Sequence, residues 1–143
     1  MRVLSEIELP AKLESLHALN ETVLNAARGH GFDEQTVSNI ELVMEEALVN
    51  VFNYAYEHSA GNAKVVCFLD DNERFGVRIE DAGTPFDPLS LPQPDVAAEL
   101  EDRAVGGLGV FLIRQLMEEV QYRREDDRNV LTMVVGKPAD SKA

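Results

Sequence analysis

The spacing of apolar and polar residues changes several times along the chain, and each change marks an element. Arg2 to Leu9 reads as a strand and is closed by Pro10. From Ala11 to Arg28, Leu13, Leu16, Leu19, Val23, Leu24 and Ala27 follow a helical period that stops near Gly29 and Gly31. Asp33 suits an N-cap, since its carboxylate can accept from the free N–H groups of a first turn, and a second helix is expected to run to about Glu57. His58 to Asn62 reads as a loop. Two strands, Ala63–Asp70 and Arg74–Asp81, then form a hairpin around the polar turn Asp70-Asp71-Asn72-Glu73. The stretch from Gly83 to Gly106, with Pro85, Pro88, Pro92 and Pro94, is too long for a routine connection and has the size of a lid or binding loop. A third helix is expected from Gly107 to about Glu119, with Val110 to Met117 as a core stripe. Val120–Arg124 and Val130–Val135 make a second hairpin around Asp126-Asp127-Arg128. The pattern predicts one α/β domain over residues 1–137 and a flexible tail over 138–143, with helices grouped on a largely antiparallel sheet.

One residue breaks the pattern. In Arg74 to Asp81, Phe75, Val77 and Ile79 share one face and Arg78 and Glu80 the other. The same period puts Asp81 on the apolar face, at the strand's exit. A carboxylate there is costly to desolvate, so it should have a dedicated partner. The turn Ala82-Gly83-Thr84-Pro85 follows, and a glycine lets backbone come close to a ligand. With the second glycine cluster Gly106-Gly107-Leu108-Gly109, this points to a pocket for a nucleotide base and its phosphates.

The second helix carries two stripes. Val37, Ile40, Met44, Ala47, Leu48, Val51 and Ala55 form a broad apolar arc. Glu46, Asn50, Asn53 and Glu57, spaced by three and four residues, share a polar face, while Glu45 turns toward solvent. A carboxylate one turn before a carboxamide suits an Mg2+ site: the amide supplies a neutral oxygen, phosphates and water complete the shell, and Glu46 can take a proton from a hydroxyl or from water. Taken alone, the stripe reads first as the solvent face, as in most amphipathic helices. Asp81 and the two glycine turns in the same short domain favour a site.

Charge narrows the chemistry. The chain has 26 acidic and 13 basic side chains in 143 residues, a net charge of −13. That field repels nucleic acid, so DNA or RNA is not expected as a partner. It also disfavours a phosphate grip made of lysines and arginines and leaves the task to backbone N–H groups and a metal. With no apolar run of membrane-crossing length and no signal-peptide pattern at Met1 to Glu6, no membrane association is expected and the cytoplasm is the default compartment. The single cysteine, Cys67, sits in a strand as a core residue. His17, His30 and His58 show no metal-binding spacing.

Glu46-Ala47-Leu48-Val49-Asn50, Asp81-Ala82-Gly83-Thr84-Pro85-Phe86-Asp87 and Gly106-Gly107-Leu108-Gly109-Val110-Phe111-Leu112-Ile113 resemble, in order and spacing, the ATP-binding motifs of the Bergerat fold. The compact length, the short lid and the phrase Glu45-Glu46-Ala47-Leu48-Val49-Asn50-Val51-Phe52-Asn53-Tyr54-Ala55-Tyr56-Glu57-His58 look most like the stand-alone anti-sigma factor serine/threonine kinases. The resemblance runs from the first strand to Val135. It implies a two-layer α/β sandwich, with a mixed, mostly antiparallel sheet and helices on one face. It implies ATP and Mg2+ as cofactors, Asn50 as the metal ligand and Glu46 as the catalytic base. Asp81 would accept from the adenine amino group, and Gly83 would let the base approach. Gly107, Leu108 and Gly109 would bind the phosphates through backbone N–H groups at a helix N-terminus. Thr132, which the alternation places on the inward face of the last strand with Val130 and Val134, resembles the family's threonine near the adenine. Arg103 is either a γ-phosphate contact or a surface arginine balancing Glu101 and Asp102. Asn53 stands where many relatives have histidine.

The function so implied is a kinase in a bacterial partner switch that phosphorylates an anti-sigma factor antagonist of the STAS type. A sigma factor would be a second partner, and the chain would act as a homodimer, as relatives often do. The alternative is an ATP-sensing protein-binding module without phosphotransfer. A histidine-kinase core would need a preceding helical hairpin with a phospho-acceptor histidine, which this sequence does not show.

Overall fold

The computed structural model describes residues 1–56, 59–90 and 107–136. Its order is β1 (Arg2–Pro10), α1 (Leu16–Gly29), α2 (Glu34–Tyr54), β2 (Asn62–Leu69), β3 (Phe75–Asp81), α3 (Gly107–Leu116), β4 (Glu119–Glu125) and β5 (Arg128–Val135). The five strands form one sheet in the order β1-β2-β3-β5-β4, and each of its four pairings is antiparallel. The expected α/β sandwich is present, with the core between the helices and one face of the sheet. Leu19 and Val23 of α1, Ile40, Met44 and Leu48 of α2, and Ile113 of α3 meet Val65, Phe75, Ile79 and Met133 there, all fully buried. Cys67 lies in this core, and burial pushes its thiol pKa up.

Boundaries moved where tertiary bonds compete with helical ones. The first helix starts at Leu16 and not at Ala11, because the Ala11 N–H is taken by the Gly61 carbonyl at 2.8 Å and a 3-10 turn at Leu13–Ser15 makes the corner. Asp33 caps α2 as expected, accepting from the Thr36 N–H at 2.9 Å. That bond holds the Asp33 carboxyl below its usual range. The helix ends at Tyr54; Glu57 and His58 lie outside the described residues. Helix α3 ends at Leu116 because the Glu118 N–H joins the sheet at Val134 O (2.8 Å) and Arg74 pairs with both Glu118 and Glu119.

The alternation assigned to the last strand needs correction. Asp126 and Asp127 both have positive φ, of 52° and 61°, and form a two-residue hairpin turn that lets β5 begin at Arg128. The register pairs Asp81 with Asn129, Ile79 with Leu131 and Arg78 with Thr132. Asn129, Leu131, Met133 and Val135 therefore face the helices, and Thr132 shares the opposite face with Arg78 and Gln121. Val130 and Val134 are also buried, on that outer face. An apolar run closed on both sides has no visible phase, so only pairing with β3 sets it. The outer face carries the pairs Lys64–Glu6 (2.9 Å) and Arg78–Glu80 (2.8 Å), and the Phe68 ring fills the space where a side chain at Gly76 would be.

Candidate functional site

The exit of β3, the C-terminal half of α2, the start of α3 and the β4–β5 hairpin converge at one end of the sheet. Asp81 is 3% exposed on the helix-facing side, as the alternation requires. Its Oδ1 accepts from Asn129 Nδ2 at 2.8 Å and from the Gly83 N–H at 2.9 Å. Within the chain, then, one oxygen already has the dedicated partners that its burial calls for. Among the described residues no hydrogen bond reaches Oδ2.

Around Asp81 lies a cavity lined by Ala47, Asn50, Val51, Ile79, Phe86, Pro88, Tyr122, Asn129 and Leu131. It has about 20 Å3 of free space, room for one water and not for a purine. Phe86, stacked on Tyr54 with ring centroids 4.8 Å apart, and Pro88 form part of its wall, and a base fits only if the lining rearranges. A larger cleft of about 590 Å3, lined by Arg2, Ser5, Thr22, Asn25 and His30, lies at the β1–α1 side and contains none of the expected site residues.

Asn50 is 7% exposed and lines the cavity, and its Nδ2 has no hydrogen-bond partner among the described residues. Glu46, one turn earlier, is half-buried, while Glu45 and Asn53 are exposed. A Cβ at Gly109 would sit 2.5 Å from Glu46 Oε2. That glycine lets the carboxylate come up against the first turn of α3, whose leading N–H groups have no intrahelical acceptors and whose dipole favours an anion. Gly107 and Leu108 open the same turn. Gly83 serves a different close approach from the one expected: a Cβ there would collide with the Ala55 carbonyl, against which the Thr84 N–H bonds at 2.8 Å. The structure thus brings together Glu46, Asn50, Asp81, Gly83 and the α3 terminus. It leaves Thr132 on the far face, and Leu131 takes the inward place. Arg103 and Gly106 lie outside the described residues.

Four site residues escaped the sequence reading. Asn129 bonds Asp81; Tyr122 and Arg124 of β4 reach Asn129 Oδ1 at 2.6 and 3.3 Å. Arg124 also donates to Gly83 O at 2.8 Å, which brings a cation to a region that the local sequence leaves poor in them. Tyr56 accepts from the Ala82 N–H and donates to Asn62 O, each at 2.8 Å, and pins the strand exit; burial raises its pKa. The only local signal was the period-two spacing of Tyr122 and Arg124, together with a polar Asn129 at the head of an apolar run.

Among the described residues no three His, Cys, Asp or Glu side chains are grouped to cage a metal. An ion here would take one protein oxygen and complete its shell with phosphate and water; Asn50 Oδ1 is the neutral oxygen that could serve, whereas the unpartnered Nδ2 is a donor and ligates no cation. Among the described residues no helix is long and apolar enough to cross a membrane.

Known proteins resemble this chain in sequence and in fold. The serine-protein kinases RsbW of Bacillus thuringiensis (strain Al Hakam) and Bacillus cereus (strain 03BB102) are each 28% identical over 130 residues, 88% of this chain and 81% of theirs. The histidine kinase domain of a blue-light activated histidine kinase from Erythrobacter litoralis EL346 superposes with a TM-score of 0.51 at 17% identity, over 82% of this chain and 60% of that one, a likeness of fold. Residues 9–135, from the end of β1 to the end of β5, match the histidine kinase-like ATPase domain model. The chain belongs to the histidine kinase-like ATPase domain family.

Proposed function

We propose that this chain is an ATP-dependent protein serine/threonine kinase of a bacterial partner switch, a cytoplasmic anti-sigma regulatory factor that phosphorylates a STAS-type antagonist. A sigma factor is its second partner, and it works as a homodimer. The observation that supports this most is the meeting of Glu46 with the first turn of α3, beside Asn50 and the cavity at Asp81. A carboxylate there is placed to receive a proton from an acceptor hydroxyl while the α3 N–H groups take up phosphate charge. Asp81 Oδ2 receives the adenine amino group, and Asn50 Oδ1 holds the metal. Mg2+, when bound with the nucleotide, neutralises charge on its phosphate oxygens. The relatives' name, serine-protein kinase, supports a serine or threonine hydroxyl as acceptor.

The test is transfer of radiolabelled phosphate from ATP to the STAS-type proteins of the source organism. Wild-type chain should label one of them. Glu46→Gln should cut transfer by about 10²- to 10⁴-fold, the usual worth of a positioned base, with nucleotide affinity little changed. Nucleotide-dependent partner exchange with no labelled product would instead establish an ATP-sensing module, a reading favoured by the small cavity, since a base fills it only if its lining rearranges.

A further inference from the structure

Asn129 is 5% exposed and makes five hydrogen bonds. Nδ2 donates to Asp81 Oδ1 and to Thr84 O, both at 2.8 Å. Oδ1 accepts from the Tyr122 hydroxyl at 2.6 Å, the Phe86 N–H at 3.1 Å and Arg124 Nη1 at 3.3 Å. Its orientation is not free: exchanging the two ends of the amide would set an oxygen against two acceptors and an NH2 against two obligate donors, the Phe86 N–H and Arg124 Nη1. One side chain thus joins the buried carboxylate of β3, the loop that lines the cavity and two residues of β4.

Resting on the adenine reading of Asp81, the geometry points to Asn129 as the positioning residue of the base site. A carboxylate's terminal torsion is broad when nothing holds it. Here Asn129 Nδ2 and the Gly83 N–H converge on Oδ1, fixing the carboxylate plane and leaving Oδ2 as an acceptor of set direction. That acceptor suits a purine with a 6-amino donor and opposes one with a 6-oxo group, whose oxygen would meet another oxygen. Through the Phe86 N–H and the Thr84 carbonyl the same amide ties the acceptor's orientation to the loop that lines the cavity. Asn129 spends both ends of its amide on partners within the protein and acts on the purine through Asp81.

The distinguishing readout is a ratio of affinities. Mg·ATP and the Mg-triphosphate of unsubstituted purine riboside, which lacks the 6-amino group, are titrated calorimetrically against wild type, Asn129→Leu and Asn129→Ser. Wild type should prefer ATP by about tenfold or more, the worth of a hydrogen bond to a carboxylate. Both variants should fall below about threefold, chiefly through weaker ATP binding. A purely structural amide would lower both affinities together and keep the ratio, which would overturn the inference while leaving the base site standing. No preference in wild type would remove the adenine reading itself. For variants that do not fold, side-chain amide exchange in wild type decides: Asn129 NH2 protons should stay protected in the ATP complex, and loss of protection on binding would show that the Asp81 bond is not kept.

Discussion

Asp81→Asn separates the structural half of this carboxylate from its recognition half. The two residues have the same shape, but the amide has one oxygen. Asn129 Nδ2 and the Gly83 N–H, at 2.8 and 2.9 Å, require that oxygen on the Oδ1 side. The NH2 must therefore face the cavity. Within the protein, two hydrogen bonds lose a carboxylate acceptor. Bonds to charged groups contribute about 1.5–3 kcal/mol and neutral ones about 0.5–1.5, so the loss is about 1 kcal/mol each and about 2 in all. Easier desolvation of an amide returns part of this. Melting temperature should fall by less than about 8 °C. At the cavity, an acceptor becomes a donor facing the purine amino group. The lost bond and the opposed donors together cost about 3 kcal/mol, a fall in ATP affinity of about 100-fold or more. Asp81→Ala should differ in both halves. It leaves both donors without that acceptor at about 1–3 kcal/mol each, so it melts lower than Asp81→Asn, but it sets no donor against the purine amino group, so its ATP affinity should fall less, by about tenfold or more. Thermal unfolding and isothermal titration with Mg·ATP measure the two halves. If Asp81→Asn binds ATP within threefold of wild type, Oδ2 is not the base acceptor and the site is misassigned.

Two further outcomes follow from the register and from the cap. Thr132→Val should leave the affinity for Mg·ATP within about twofold, because Thr132 shares a face with Arg78, away from the cavity; a loss on the scale of Asp81→Asn would contradict the β3–β5 pairing. Asp33→Ala should melt below wild type at pH 7, and the gap should close in acid. The folded-state pKa lies below the usual 3.8, so the native state binds fewer protons than the unfolded one. The stabilisation is therefore complete above 3.8 and is lost as pH falls through the lowered value. A gap independent of pH between 7 and 2 would mean that the Thr36 contact contributes nothing through the charge of Asp33.

The sequence by itself determined what depends on neighbours along the chain. The period-two run from Phe75 put Asp81 on the buried face, and it is there because each residue of a strand turns its side chain by half a circle. The helical period on α2 separated the half-buried Glu46 from the solvated Glu45 and lined Asn50 up one turn on. Asp33 announced its helix through a bond only three residues long. Tertiary structure decided whatever depends on pairing at a distance. The run Val130 to Val135 is apolar at nearly every position, so nothing local told which parity faces the helices, and register with β3 turned Leu131 in and Thr132 out. Asn129, Tyr122 and Arg124 joined the site because that same register laid β5 beside β3 and β4 beside β5. Helix ends shifted wherever a remote carbonyl or carboxylate offered a better bond, as Gly61 does to Ala11 and Val134 to Glu118. An alternating or helical repeat is a property of the backbone alone, whereas a partner 48 residues away, as Asn129 is from Asp81, exists only once the sheet has closed.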